Sequence, residues 1–436
     1  MNKEILKQII KEGQEFEFPL IYPREIKVPL DSQKIIAITG PRRSGKTYLL
    51  FSLMQQLIKN KVNRKNIFYV NFDDPRLLPI DAKGIELIHE TYFELYPELK
   101  DSDNFIFFDE IQNVKNWEMG IRRIYDTRNF RMFLTGSSSK FLSQEIATSL
   151  RGRAINFEVL PFSLREILST KATTVEKDTV YSKTRFNIKK TLSEYLEFGG
   201  FPEVVLSQKE LKIRILKEYM DTMFLRDLIE RYRIRNQTVL RETVKYLTSN
   251  VGNLFSMNAF WQWTKQTYPI SKRTIIEYAS YLEEIGLFFF VRKFSYSLKE
   301  QSLRPRKVYI VDNGLRTVYG FNFSQDLGRI LENTVYLKLK GDKVRKPLLE
   351  IFYWQDMKKK EVDFVVKEGL KIKFLIQVCA NPHHPETEKR EILPLLKAGK
   401  ELKCSKLIII TDYYEEEKLF GRQKVLFVPL WKWLLD

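Results

Sequence analysis

Three short stretches of this chain hold the residue types that phosphate chemistry requires. Gly40-Pro41-Arg42-Arg43-Ser44-Gly45-Lys46-Thr47 sets two glycines with four residues between them and follows the second with a lysine and a hydroxyl. A loop of that composition turns its backbone amides around phosphate oxygens, while the lysine reaches the outer phosphates and the hydroxyl is offered to magnesium. The run from Gly40 through Pro41, Arg42, Arg43, Ser44, Gly45, Lys46 and Thr47 to Tyr48 is therefore the expected ATP-binding segment. Phe105-Ile106-Phe107-Phe108-Asp109-Glu110 is an apolar run ending in two acids, which a buried strand would deliver to its C-terminal edge. Asp109 there would join Thr47 in holding Mg2+, and Glu110 would polarise the attacking water. The third stretch, Met132-Phe133-Leu134-Thr135-Gly136-Ser137-Ser138-Ser139, offers a hydroxyl to the terminal phosphate or the water. Ser137 is the first choice and Ser138 the alternative, with a helix N-cap as the competing use of either serine. Arg153, in Leu150-Arg151-Gly152-Arg153, is expected to act as an arginine finger, either within the chain or across an oligomer.

These groups need a sheet to hold them in line. Short apolar runs at 35–39, 67–72, 105–109, 132–135 and 155–159 alternate with amphipathic segments, the rhythm of a parallel sheet covered by helices. The helix after the first strand is expected over Tyr48 to Asn60, with Leu49, Leu50, Leu53, Met54, Leu57 and Ile58 on one face. From Ser163 to about Arg235 the pattern is helical and is broken at Phe198-Gly199-Gly200-Phe201-Pro202, which suggests a helical lid. Helical stretches near 241–249, 257–266 and 272–285, followed by strands at 287–294 and 306–311, predict a winged helix. Strands at 349–353, 362–366, 374–378 and 407–411 predict a further mixed α/β domain.

The order of Gly40 to Thr47, then Asp109-Glu110-Ile111-Gln112, Thr135-Gly136-Ser137-Ser138, Gly152-Arg153 and Glu197-Phe198-Gly199-Gly200-Phe201-Pro202-Glu203 resembles the AAA-type ATPases of archaea and bacteria. More narrowly, it is similar to the branch whose C-terminal half is a domain of unknown function with a winged helix and a restriction-endonuclease-like module. The resemblance implies a multidomain protein: an α/β P-loop NTPase core (1–162), a helical lid (163–238), a winged helix (239–320) and a C-terminal nuclease-like α/β domain (321–436). Arg226-Asp227 in the lid belongs to the same pattern.

Two further sites are expected in the C-terminal half. Ser271-Lys272-Arg273-Thr274 opens the third helix of the winged helix, so Lys272 and Arg273 are candidates to meet DNA. Glu361-Val362-Asp363 followed by Ile376-Gln377-Val378-Cys379 resembles a metal-dependent nuclease pattern, with Glu332 as its extra acid. Gln377 and Cys379 stand where a second acid and a cation are required, so the expected centre (Glu332, Asp363, Gln377, Cys379) is disabled. Lys371 or Lys373 would be the displaced cation if it were not.

The composition sets the outer limits. A chain of 436 residues that is 44% hydrophobic suggests two to four domains. A formal net charge of +18 attracts polyanions, although abundant lysine and glutamate also fit a heat-adapted proteome. Two cysteines and three histidines exclude a disulfide framework and a structural zinc cluster, which points to a reducing, cytoplasmic setting. No apolar run approaches the length of a membrane span. The expected protein is an ATP- and Mg2+-dependent switch that contacts DNA or a protein partner, with homo-oligomerisation open. A nucleotide-regulated scaffold that does not contact DNA is the second reading, and an ATP-driven nuclease the third.

Overall fold

The computed structural model describes residues 2–127, 130–136, 150, 152–173, 184–320, 327–382 and 388–436. Two compact units result, one of Met1–Leu160 with Glu284–Gly286 and one of Pro161–Glu283 with Leu287–Asp436.

The first unit is built on β1 (Ile35–Thr39), β2 (Ile67–Asn71), β3 (Asn104–Asp109), β4 (Phe130–Gly136) and β5 (Ala154–Glu158), all parallel, in the order β2-β3-β4-β1-β5. Every residue of β1 and β3 is buried, which is why both read as unbroken apolar runs: helices cover both faces of the sheet. On one face α2 (Lys46–Lys59) lays Leu49, Leu50, Leu53, Met54 and Leu57 against Ile36, Ile38, Phe107 and Phe133. On the other, α1 (Lys3–Glu15), α3 (Ala82–Leu95) and α4 (Trp117–Thr127) enclose Phe68, Ile106 and Phe108. Each observed strand lies within two residues of its expected limits. Helix α2 starts two residues earlier than its apolar face predicts, because the glycine loop winds directly into its first turn.

In the second unit come α5 (Leu164–Thr170), α6 (Thr184–Phe198), α7 (Pro202–Leu206) and α8 (Lys209–Thr222), which runs on into a π-helical segment, Met223–Glu230. Next follow α9 (Gln237–Ser249), β6 (Leu254–Phe255), α10 (Met257–Thr264), α11 (Lys272–Glu284), β7 (Phe288–Val291), α12 (Leu298–Leu303) and β8 (Arg306–Ile310), with an antiparallel sheet ordered β6-β8-β7. After α13 (Asn313–Tyr319) and α14 (Leu327–Arg345), a mixed six-stranded sheet is ordered β13-β14-β12-β11-β10-β9. Its strands are β9 (Leu349–Gln355), β10 (Glu361–Glu368), β11 (Lys371–Val378), β12 (Leu407–Thr411), β13 (Glu416–Phe420) and β14 (Gln423–Pro429), with α15 (Leu393–Glu401) and α16 (Leu430–Leu435). The hairpin β13–β14 has no counterpart in the sequence expectations. Glu416-Glu417-Lys418 gives its edge strand a charged, exposed face that masks the strand pattern. Among the described residues no helix is long and apolar enough to cross a membrane.

The Gly-Gly-Phe-Pro turn after α6 has a clear packing reason. Asp312, fully buried, accepts from the Gly200 N–H at 2.6 Å through Oδ2 and from the Gly314 N–H at 2.8 Å through Oδ1. A Cβ on Gly199 (φ 76°) would stand 1.7 Å from Asp312 Oδ1, so only glycine lets the turn close over that carboxyl. Burial pushes the Asp312 carboxyl up to about 7, against backbone amides that pull it down. Asp312→Asn turns an NH2 group toward amide donors and is expected to lower unfolding stability by about 2 kcal/mol. With a folded value above the unfolded one, Asp312 contributes stability most fully in acid and loses it as pH rises through about 7. The wild-type advantage over Asp312→Asn should therefore narrow between pH 5 and 8 in urea titrations. An advantage that widened over that range would contradict this account.

Candidate functional site

The loop Gly40–Thr47 leaves the C-terminal end of β1, the edge at which β3 and β4 also end. Gly40, at φ 148°, runs so close to the Val159 carbonyl that a Cβ would lie 2.2 Å from it. Gly45 forms the N-cap of α2 in a left-handed conformation and has no side-chain cap, so the first-turn amides of Lys46, Thr47 and Tyr48 face out of the helix without intrahelical acceptors. Lys46 is 4% exposed, and its ammonium donates to the carbonyls of Gly40 at 3.3 Å and Pro41 at 3.1 Å. The Ser44 hydroxyl is buried with no hydrogen-bond partner among the described residues. A buried hydroxyl, a buried ammonium and open helix-terminal amides make a donor set that suits a polyphosphate. Tyr48 is half exposed at the same helix start.

Asp109 and Glu110 sit where the sequence places them, at the end of β3. Asp109 is buried and accepts from Thr47 Oγ1 at 2.7 Å and Tyr69 Oη at 3.2 Å, both on Oδ2. Thr135 donates to Asp109 Oδ1 and accepts from the Glu110 N–H at 3.0 Å. Burial pushes the Asp109 carboxyl up, the Thr135 bond opposes this, and the neighbouring Glu110 charge adds to the rise. Burial and Asp109 together hold the Tyr69 phenol protonated as a donor. Glu110 adopts φ 53°, uncommon for a residue other than glycine, and Gln112 donates to its Oε2. The two acids differ in their surroundings: Asp109 is sealed and held beside the Thr47 hydroxyl, while the Glu110 carboxylate is held by Gln112. A magnesium ion fits the hard oxygen ligands that Thr47 and Asp109 present.

Tyr69, Thr135 and Gln112 were not singled out from sequence as site residues. Tyr69 reads as one more aromatic in an apolar strand, and only the pairing of Asn71 with Asp109 brings β2 alongside the acids. Thr135 lies within the quoted run but one step before the glycine, hidden by the three serines that follow. Ser137 and Ser138 lie outside the described residues.

Arg153 requires a correction. Its carbonyl accepts from the Ile35 N–H at 2.9 Å, and Ala154 pairs with Ile35, so Arg153 stands at the N-terminal edge of the sheet. Its guanidinium pairs with Asp126 at 3.2 Å beside the Tyr125 ring. The length of β1 separates it from the loop, and at about 3.3 Å per residue that span is beyond an arginine side chain. This placement does not bring Arg153 to the phosphate loop of its own chain. Lys272 and Arg273 are exposed in the first turn of α11, where Arg273 Nε donates to Glu277 at 2.8 Å.

The nuclease-like residues are only partly brought together. Glu332 and Asp363 converge on Lys307, a residue of β8 that the sequence reading did not consider: its ammonium lies 2.9 Å from Glu332 Oε1, 2.7 Å from Asp363 Oδ1 and 3.0 Å from Glu361 Oε1. Tyr309 Oη donates to Glu332 Oε1 at 2.7 Å. Gln377 joins through its Oε1, which accepts the Asp363 N–H at 3.1 Å, and its amide donates to Glu391. Cys379 is buried in the apolar cluster with Leu375, Leu395 and Ala398. Lys371 is exposed and Lys373 pairs with Glu368 at 3.1 Å, so neither supplies the cation. Burial presses the Lys307 ammonium toward neutrality, but Asp363, Glu332 and Glu361 outweigh it and hold the group well above its ordinary value. Burial and the Asp363 charge push Glu332 up.

Residues 32–168 match the family model described as an AAA domain, in agreement with the parallel sheet and its phosphate loop. Residues 189–325 and 327–433 match two domains of unknown function, DUF8612 and DUF4143. Along its whole length, and 96% of the relative's, the chain is 38% identical to the uncharacterized protein MJ1544 of Methanocaldococcus jannaschii. It is 30% identical to an uncharacterized protein of Haemophilus influenzae, over 93% of this chain and 95% of that protein. Among solved structures, AMPPCP-bound DnaA from Aquifex aeolicus aligns at 16% identity over 64% of this chain and 86% of its own, with a TM-score of 0.25.

Proposed function

We propose, on the premise that this chain belongs to the same family as MJ1544 and carries its AAA domain at residues 32–168, that it binds ATP with magnesium and hydrolyses it. The observation that carries this reading is the hydrogen bond from Thr47 to Asp109 at 2.7 Å, which joins the phosphate loop to the acid pair. Magnesium, when bound by Thr47 and Asp109, would neutralise charge on the outer phosphates. The loop amides and Lys46 grip and orient the triphosphate. Glu110 accepts the proton of the attacking water, and Thr135 fixes its backbone so that the carboxylate is aimed while Asp109 stays on the metal side. The hydroxyl of Ser137 would contact the terminal phosphate, and Arg153 would complete the site of a second copy.

The remaining domains are assigned in the same spirit: a helical lid over 163–238, a winged helix over 239–320 and a nuclease-like domain over 321–436. Nucleotide turnover repositions the lid and the winged helix, whose Lys272 and Arg273 meet DNA phosphates. The Lys307 ammonium fills the acidic cluster of the last domain, which therefore cleaves no DNA. Calorimetric titration of the full chain with ATP and magnesium should give saturable binding that Lys46→Ala abolishes; no heat of binding in the wild type would reject the nucleotide reading. Mobility shifts of duplex DNA across a salt series, with ATPase rates measured beside them, decide the partner. Absence of both a shift and a stimulation would favour the nucleotide-regulated scaffold.

A further inference from the structure

Arg24 lies in the extended segment between α1 and β1, where Phe18, Ile21, Ile26, Val28 and Leu30 pack against the α2 face of the core. Its guanidinium is half-buried and spans two carbonyls: Nη1 donates to Ser44 O at 2.9 Å and Nη2 to Leu160 O at 2.5 Å. Ser44 and Gly45 share one planar trans peptide, in which the C=O and the following N–H point in opposite directions. A guanidinium pulling the Ser44 carbonyl outward therefore turns the Gly45 N–H the other way. The second anchor matters equally. Leu160 follows Val159, whose carbonyl sets the closest approach to Gly40, so one planar side chain ties the second glycine's peptide to the short stretch that supports the first.

We propose that Arg24 is a positioning residue for the phosphate loop: by clamping the Ser44 carbonyl to Leu160, two residues beyond β5, it aims the Gly45 N–H at the bound phosphates. The inference rests on the nucleotide-binding reading above. It concerns affinity: the carbonyls that Arg24 holds belong to the phosphate loop and the stretch that supports it, so its loss should raise KM and leave kcat nearly unchanged. A lysine can donate to one carbonyl but lacks the planar fork that holds two, so it should restore only part of the effect.

The test uses the full chain as wild type, Arg24→Ala, Arg24→Lys and Lys46→Ala, each titrated with a fluorescent ATP analogue at saturating magnesium and melted without nucleotide. Arg24→Ala should weaken binding about tenfold, the size expected for loss of a charge-assisted hydrogen bond, with Arg24→Lys between it and the wild type. The nucleotide-free melting temperatures should stay close together. Wild-type affinity in Arg24→Ala would overturn the proposal, as would a fall in nucleotide-free stability with affinity intact. If Arg24→Ala does not fold, Arg24→Lys decides: an affinity equal to the wild type overturns the proposal and a weaker one supports it. A wild type that binds no better than Lys46→Ala would instead bring down the nucleotide reading, and this inference with it.

Discussion

Glu110→Gln should give a protein that binds ATP and magnesium like the wild type but turns ATP over at least about 100-fold more slowly, the scale on which a general base contributes. Two features of the site set this expectation. The backbone of Glu110 is held in a left-handed conformation, with its N–H on the Thr135 hydroxyl and its carboxylate on the Gln112 amide, so its partners differ from those of Asp109. Asp109 is sealed by Thr47, Tyr69 and Thr135 and is not placed to accept a proton from water. Glutamine keeps the shape and the bond from Gln112 but cannot take that proton. Single-turnover phosphate release, run beside equilibrium binding, separates the two effects. A variant that released phosphate within fivefold of the wild-type rate would remove Glu110 from the reaction. One that lost ATP binding as well would show Glu110 to be part of the grip instead of the chemistry.

The legible parts of this site were those in which one local stretch carries both its geometry and its chemistry. The phosphate loop is legible because glycines, lysine and hydroxyl are contiguous, and the acids because an apolar run of β-formers ends on them. Strands were legible where both faces are buried, since burial alone fixes an apolar run, as in β1, β3 and β12. What escaped was contributed across strands. Tyr69 and Thr135 reach Asp109 from β2 and β4, and no spacing rule in the chain joins positions 69, 109 and 135. The turn at Gly199 could be located from its glycines, but its cause is Asp312, more than a hundred residues later. Arg153 shows the reverse: its sequence neighbourhood places it near the site elements, yet it precedes a parallel strand whose start lies at the edge far from the loop of the same chain. The acids of the C-terminal half were recognised, whereas Lys307 was absorbed into an expected apolar strand.

Lys307→Met should destabilise the second unit by about 3–5 kcal/mol, a large share of the roughly 5–15 kcal/mol that holds a domain folded. The methionine fills nearly the same volume, so packing is not the main loss. The loss is charge: Glu332 and Asp363, both buried, and the part-exposed Glu361 would be left together with their shared cation gone, 2.7 to 3.0 Å from where the ammonium stood. Tyr309 still donates to Glu332, and the Val378 N–H still donates to Asp363 Oδ2 at 2.8 Å, but neutral donors do not offset adjacent buried carboxylates. The direction with pH follows. Burial and the Asp363 charge already push Glu332 up, and without the ammonium it binds its proton more tightly still in the folded state than in the unfolded one, so the variant should recover stability as pH falls from 8 toward 5. A companion chain carrying Lys307→Met with Glu332→Gln and Asp363→Asn removes the cation together with the two most buried carboxylates, leaving only the part-exposed Glu361, and should regain much of the deficit, because a buried ion cluster exchanged for neutral groups is often close to neutral in stability. Urea unfolding of the three proteins at pH 5, 6.5 and 8 makes the comparison. If the single variant were as stable as the wild type at pH 8, or if the triple variant were weaker than the single one, the lysine would be packing material and not the cation that this carboxylate cluster is built around.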